Sequence, residues 1–386
     1  MNKIDDLIKR YCPNGVEFME LAELLGYEQP TKYIVKSSNY ADSGNVPVLT
    51  AGQSFILGYT DEKDNLYLAS TDNPVIIFDD FTTSFHWVDF NFKIKSSAMK
   101  MLRPLRDVKI SFRYVFYAMM ILRYVPQDHA RQWISTYSRF KIPVPPMEVQ
   151  EEIVRILDKF TELEAELEAE LEARKKQYKY YRDNLLKFDE LVKICNIGDV
   201  CSVQSGGTPS KSKLKYWGGN IKWLGSTVCQ NQKNITSITD YITEEGYNNS
   251  SAKLIRKDST LIALVGATIG KIAFLPFEAA INQNVAAIYP NDLSQLNPSY
   301  LYYIMGTLYD KFQSLSHGKL AMANLSFIRN LKIPIPPLSE QERIVSILDK
   351  FDALVNDISE GLPAELNARR KQYEYYRDKL LTFSEK

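Results

Sequence analysis

Apolar residues recur along two stretches of this chain at the alternating three- and four-residue spacing of a helix with one stripe turned to a partner. In the first, Ile153, Leu157, Phe160, Leu167, Leu171, Tyr178, Tyr181, Leu185 and Phe188 share one frame, with Glu164 and Arg174 as misfits. Glutamate alternates with Leu or Ala from Glu162 to Ala173, a period a strand would also give. Leu163, Leu167 and Leu171 recur every four residues among strong helix formers, which favours helix. From Met147 to Phe188 it would span roughly 60 Å at about 1.5 Å per residue. The second stretch repeats the frame at Ile344, Leu348, Phe351, Val355 and Ile358. Ser339, with Glu342 three residues on, predicts a capping box at its start.

A motif precedes each helix and another ends it. Lys141-Ile142-Pro143-Val144-Pro145-Pro146 returns as Lys332-Ile333-Pro334-Ile335-Pro336-Pro337, and Ala173-Arg174-Lys175-Lys176-Gln177-Tyr178 as Ala368-Arg369-Arg370-Lys371-Gln372-Tyr373. Phe160 and Phe351 are 191 residues apart, but Ala173 and Ala368 are 195 apart, so four residues have entered the second copy. The addition coincides with Gly361 and Pro363, and an internal proline predicts a kink or break there. Each helix could serve as a linker or pack on its own domain. Two equal seams of this length more economically pair with each other, antiparallel.

The regions closed by the repeat, about 16–137 and 194–330, share an order of features. Each opens with a short amphipathic stretch, Val16 to Leu25 and Ile197 to Val203. Each holds a β-rich apolar run, Pro74 to Phe78 and Thr260 to Val265, followed by an aromatic helix, Arg113 to Met120 and Ser299 to Met305. The halves read as diverged copies of one mixed α/β domain, related by an approximate two-fold axis.

Composition adds bounds. A chain of 386 residues suits two domains. The best candidate for a membrane span, Leu261 to Ile281, is interrupted by Lys271 and Glu278. The start, Met1 to Asp6, has no signal-peptide core, so the expected location is the cytoplasm. Cys12, Cys195, Cys201 and Cys229 form no Cys-x-x-Cys pair, and His86, His129 and His317 are far apart, so neither a metal nor a disulfide is expected. Net charge is zero, which leaves room for a basic face balanced by the glutamates of the first helix.

Gly206-Gly207-Thr208-Pro209, followed by Lys211, Lys213, Lys215, Tyr216 and Trp217, joins flexible backbone, cations and planar rings, a combination that suits nucleic acid. Alternate lysines on an extended segment would face one row of phosphates. The bland alternative is a solvated loop with Trp217 turned inward. Asn282, Gln283 and Asn284 offer amides that can pair adenine, or simply cap a loop. The counterparts in the first region are Thr50, Gln53 and Ser54, then Thr82 and Thr83, with Lys93 and Lys95 beyond. Asp79 and Asp80 beside them raise metal catalysis, as in a nuclease, but no correctly spaced Glu-x-Lys supports it, so a turn or an acceptor for a cytosine amino group is favoured. Basic, hydroxyl-rich loops end each region: Arg131, Tyr137 and Arg139 in one, Lys319 and Asn324 in the other.

Enzyme signatures fall short. Asn297-Pro298-Ser299-Tyr300 lacks the second proline of an amino-methyltransferase segment and sits at a helix start. Gly266-Ala267-Thr268-Ile269-Gly270-Lys271 misses the phosphate-loop pattern in glycine spacing and final hydroxyl. No catalytic residue is assigned, and the chain is read as a non-enzyme.

The two Pro-rich motifs, the second continuing Leu338-Ser339-Glu340-Gln341, the twin Arg-Lys-Gln-Tyr and Arg-Arg-Lys-Gln-Tyr helices, and Gly206-Gly207-Thr208-Pro209 with Tyr216-Trp217 resemble the specificity subunits of type I restriction-modification systems. The resemblance runs over essentially the whole chain. It implies an α+β architecture with recognition domains at 1–139 and 191–330 and spacer helices at 140–190 and 331–386. Each domain would read one half of a split double-stranded DNA target, the halves about one turn, roughly 34 Å, apart. It implies docking of two modification subunits, which carry S-adenosylmethionine and methylate adenine, with restriction subunits able to join, and no membrane. This chain would bind no cofactor itself. The leading alternative is a coiled-coil adaptor presenting two protein-binding domains, and a third is a piece of a fused restriction-methylation enzyme.

Overall fold

The structure, a computed structural model, describes residues 2–52, 54–189, 191–235, 237–314, 322–357 and 360–386. The chain forms two units, Met1–Ala165 with Arg369–Lys386 (unit 1) and Glu166–Ala368 (unit 2). Each unit therefore takes the early half of one repeat helix and the late half of the other.

In unit 1 the opening strand Glu17–Glu20 pairs antiparallel with Lys141–Val144, the first part of the Pro-rich motif. Pro143 is tolerated because this is a two-stranded ribbon, where a missing N–H breaks no interior ladder. Between them lie a four-stranded sheet, in the order Leu25–Glu28, Met99–Pro104, Val75–Asp79, Phe85–Val88, and a three-stranded one, Ile56–Thr60, Val46–Leu49, Lys93–Ile94. Unit 2 repeats this plan. Ile194–Asn196 pairs with Lys332–Pro334. One sheet runs Cys201–Ser205, Val285–Pro290, Ser259–Ala263, Ile272–Leu275 and the other Asp240–Ile242, Trp217–Leu224, Ala279–Ile281. Each gains one edge strand, Gln232–Asn234 and Leu254–Ile255. Two sheets with matching strand order make the halves diverged copies of one fold.

The apolar runs are strands buried on both faces. Ile76 and Phe78 enter one core and Val75 and Ile77 another; Ile262 and then Leu261 with Ala263 divide in the same way. A period of two explains it, since alternate side chains leave opposite faces. One face meets the tyrosine-rich helix, Phe112–Met119 in unit 1 and Pro298–Gly306 in unit 2.

That helix is latched identically in both units. The Tyr114 hydroxyl donates to the Pro143 carbonyl at 2.9 Å and that of Tyr117 to Asp158 Oδ1 at 2.5 Å. Tyr300 donates to Pro334 at 3.1 Å and Tyr303 to Asp349 Oδ1 at 2.5 Å. Gln150 and Gln341, both fully interior, link the start of the tyrosine helix to the second proline pair. The cation sharing the carboxylate differs in origin. Arg113 comes from the tyrosine helix itself, whereas Lys233 comes from the strand Gln232–Asn234, which has no counterpart among the described residues of unit 1.

The first long helix runs Met147–Leu185, 39 residues or about 58 Å. Its early apolar positions, Ile153 and Leu157, belong to the core of unit 1 rather than to an interhelical seam. Beyond them the seam forms. Phe160 packs on Tyr373 and Tyr376, and Glu164, a misfit in the apolar frame, accepts from Arg370 at 2.6 Å, so partners descend as the helix ascends: antiparallel. In unit 2 the roles are exchanged, with Phe351 against Tyr178 and Tyr181. The second copy is two helices, Leu338–Asn356 and Leu362–Leu381, and the chain is extended at Asp357. Pro363 falls in the first turn of the latter, where its missing N–H costs nothing. The expected capping box is not formed: the helix begins at Leu338, one residue before Ser339, and its N-cap is Pro337 without a side-chain bond. Ile358, placed in the second seam, lies outside the described residues.

Candidate nucleic-acid interface

Strand registers dictate where the polar loops go. In unit 2, Ser205 stands opposite Ala286, Ala263 opposite Val285, and Leu224 beside Ile281. The loops leaving those strands all emerge around Asn282-Gln283-Asn284, forming one rim. Backbone bonds fix it: Gly207 to Ile281 at 2.9 Å, Asn282 to Leu224 at 3.0 Å and Leu264 to Asn284 at 2.8 Å. Thr208 donates to Gln283 Oε1 at 2.6 Å, joining two motifs 75 residues apart. Glycine is required here, because a Cβ at Gly206 would stand 1.8 Å from the Ile281 carbonyl oxygen and one at Gly207 2.1 Å from Ser251 Oγ.

The lysine segment follows on the same rim. Trp217 donates to the Ser210 carbonyl at 3.2 Å and meets Trp223 edge-on at 5.2 Å, so it braces the loop. Lys211, Lys213 and Lys215 are all exposed; Lys213 reaches the Tyr216 hydroxyl and Lys215 pairs with Glu245. Asn282 is nearly buried and its Oδ1 accepts from the Asn284 backbone, leaving Gln283 as the exposed amide of the three. Asn324 caps the helix Leu325–Arg329 through Phe327 N–H. The loop Gly266 to Lys271 also reaches this rim, but the strand Ile272–Leu275 follows it, not the helix of a phosphate loop.

Unit 1 builds the corresponding rim from different residues. Leu49 lies beside Ile94 and Asp79 opposite Met99. Lys95 N–H bonds the Leu49 carbonyl at 3.0 Å and Asp80 N–H the Ala98 carbonyl at 2.7 Å, which brings Thr50, Ser54, Thr82, Lys95 and Arg131 to one edge. His86 Nε2 contacts the Gly52 carbonyl at 3.0 Å and braces the loop with Ser54. Asp79 Oδ1 accepts from Phe81 and Thr82 N–H and so makes the turn. Asp80 is only 1% exposed, so it is not a surface acceptor for a cytosine amino group.

Several expected contact residues are committed to the interior. Lys93 is buried, with Nζ on Glu62 and the Asp64 carbonyl; its pull holds the Glu62 carboxyl below the ordinary range. Tyr137 lies in a ring cluster with Phe78, Trp133 and Phe140. Tyr216 is buried, and Thr83, with φ +59°, bonds the Thr82 carbonyl. Arg139 is exposed, but its turn lies beside Leu21, the first residue of the short helix Leu21–Leu24, and away from the rim. Gln53 and Lys319 lie outside the described residues. Sequence reasoning passed over Leu214, 85% exposed between Lys213 and Lys215; an apolar residue amid lysines was the available signal.

Among the described residues no cluster of His, Cys, Asp or Glu could hold a metal, and no helix is long and apolar enough to cross a membrane. All four cysteines are free thiols, and burial pushes those of Cys201 and Cys229 up to about 12.

Residues 13–173 and 189–368 both match the family model described as the type I restriction modification DNA specificity domain. The specificity subunit of the type I restriction enzyme EcoR124I/EcoR124II from Escherichia coli is 46% identical over 385 residues, covering 95% of this chain and 94% of that protein. Among solved structures, the S subunit of a type I restriction-modification system from M. genitalium has a TM-score of 0.61 at 16% identity, over 96% of this chain and 97% of that one. A chain from a structure of type I R-M complex assembly has a TM-score of 0.55 at 19% identity, over 96% and 98%.

Proposed function

From the premise that this chain belongs to the family of type I restriction-modification DNA specificity subunits, we propose that its two rims each read one half of a split duplex target. The family's specificity subunits recognise DNA and leave the chemistry to their partners. The observation that carries the reading is the pair of unlike polar rims on one repeated strand framework, each latched by the same Tyr–Asp contact to a repeat helix. A framework that stays constant while its rim chemistry changes is what a reader of two different half-sites needs.

In this reading the recognition domains are 1–139 and 191–330, and the helices at 140–190 and 331–386 set the unread gap. Exposed Lys95, Lys211 and Lys213 take backbone phosphates. Gln283 and Arg131 face base edges, an amide for adenine and a guanidinium for guanine. Two modification subunits, bearing S-adenosylmethionine, dock on the helical regions, a restriction subunit joins them, and the assembly works in the cytoplasm.

Deleting matched turns from both repeat helices should alter the spacer between methylated half-sites and leave both base sequences intact, as read by mapping methylated adenines. Altered bases would sink the ruler idea. Absence of salt-dependent, sequence-selective duplex binding by the complex would favour a protein adaptor instead.

A further inference from the structure

Asp80 occupies an unusual position in unit 1. Its backbone N–H bonds Ala98, its carbonyl accepts from Gln132 N–H at 2.7 Å, and its Oδ1 accepts from Trp133 N–H at 2.8 Å. One residue thus ties the turn after Val75–Asp79, the loop after Lys93–Ile94 and the segment that carries Arg131. The remaining oxygen, Oδ2, is buried and makes no hydrogen bond. Two cations stand near it: Lys100 Nζ at 3.4 Å, on a side chain 1% exposed, and Arg131 NH1 at 3.7 Å, on one 50% exposed.

The two cations are not equivalent. Lys100 also lies over the Tyr27 ring, 5.0 Å from its centroid, and is enclosed by the fold. Arg131 sits at the rim, and its 3.7 Å contact is longer than a hydrogen bond. A buried carboxylate without a counter-charge is costly, so a guanidinium that served as its sole partner could not leave. Here Lys100 supplies a standing counter-charge, and Arg131 can depart without stranding Asp80.

We propose that Asp80 is a positioning residue for DNA reading by unit 1: it parks Arg131 at the rim in the free protein and releases it to a guanine edge on the duplex, while Lys100 neutralises the buried carboxylate. This rests on the reading that the rims contact DNA. The segment 131–133 is fixed through two Asp80 oxygens, so the guanidinium is presented from a defined backbone, with little ordering left to do on binding.

The test uses the complete complex with its modification subunits, a duplex carrying both half-sites, and thermal unfolding as a fold check. Arg131→Ala should weaken binding by about tenfold or more and relax base selection only in the half-site read by unit 1. Asp80→Asn should weaken binding in the unaltered background yet add nothing in the Arg131→Ala background. An equal loss in both backgrounds, or no loss in a folded Asp80→Asn complex, overturns the proposal. If Asp80→Asn does not fold, Arg131→Lys decides: retained salt-dependent binding with lost half-site selection supports it, and full selection overturns it. Lys211→Gln with Lys213→Gln is the control. If these weaken binding while Arg131→Ala does not, the inference fails alone; if the unaltered complex binds no duplex selectively, the DNA reading fails with it.

Discussion

The rims of the two units occupy equivalent places on the same strand framework and are chemically unlike. In unit 1 the rim cation Arg131 shares Asp80 with the buried Lys100, and Lys93 is turned inward onto Glu62, while exposed Lys95 has no acidic partner among the described residues. In unit 2 Lys211 and Lys213 have no acidic partner among the described residues, and the polar character comes from Gln283, Thr208 and a glycine-tightened loop. At the latch between the tyrosine helix and the repeat helix the copies agree in Tyr114 with Tyr300, Tyr117 with Tyr303, Gln150 with Gln341, Ile153 with Ile344, Leu157 with Leu348 and Asp158 with Asp349. The agreement marks positions whose neighbours permit one solution. Rim residues answer to a partner outside the chain and are free to differ.

Gly206→Ala probes the difference most strongly. The added Cβ would collide with backbone at 1.8 Å, so the loop must move, at about 2–3 kcal/mol. Methylation mapping should show relaxed selection in the unit 2 half-site with that of unit 1 intact; loss in both would mean the units are not independent readers. Next come the paired glutamines. Gln341 makes three hydrogen bonds (to Asn297 N–H and to the Gln295 and Pro336 carbonyls) and Gln150 two. Gln341→Ala should therefore cost about 1 kcal/mol more than Gln150→Ala in denaturant unfolding; equal losses would show that the latches are energetically alike.

Smaller effects separate the rims by charge. Replacing Lys211 and Lys213 with Gln should lower the slope of log affinity against log salt by about 2, and Lys95→Gln by about 1, if each lysine covers one phosphate. Acid should distinguish the units most gently. Hydrogen bonds from Arg155 and Lys3 hold Glu152 down to about 2 from 4.5, so its contribution is present above pH 4.5 and lost as pH falls toward 2. Burial raises Asp352 above 3.8, so its contribution is present below that value and lost as pH rises through the folded pKa. The repeat places Arg343 and Thr161 at the equivalent positions, so neither effect has a counterpart in the other unit. Hydrogen exchange on acidification from pH 5 to 3 should show unit 1 loosening relative to unit 2, and Glu152→Gln should flatten the contrast.

Periodicity and repetition alone determined the two long helices, the doubled domain plan and the strands of the apolar runs, because each depends on spacing along the chain: three and four for one stripe, two for opposite faces. The discontinuity near Gly361 and Pro363 was legible for the same reason. Tertiary structure decided what spacing cannot encode. Lys93 and Lys95 look alike in sequence, yet the first lies within the strand Lys93–Ile94, buried against Glu62, and the second lies past the strand's end, exposed at the rim. Asp79 and Asp80 are neighbours, but one closes a turn and the other anchors three segments, since their side chains leave the backbone on different sides. Thr208 meets Gln283 only because the strand Cys201–Ser205 ends opposite the start of its antiparallel neighbour Val285–Pro290. Whether a polar residue faces the interior or a partner is set by registers between distant strands, and those come from the packed core as a whole.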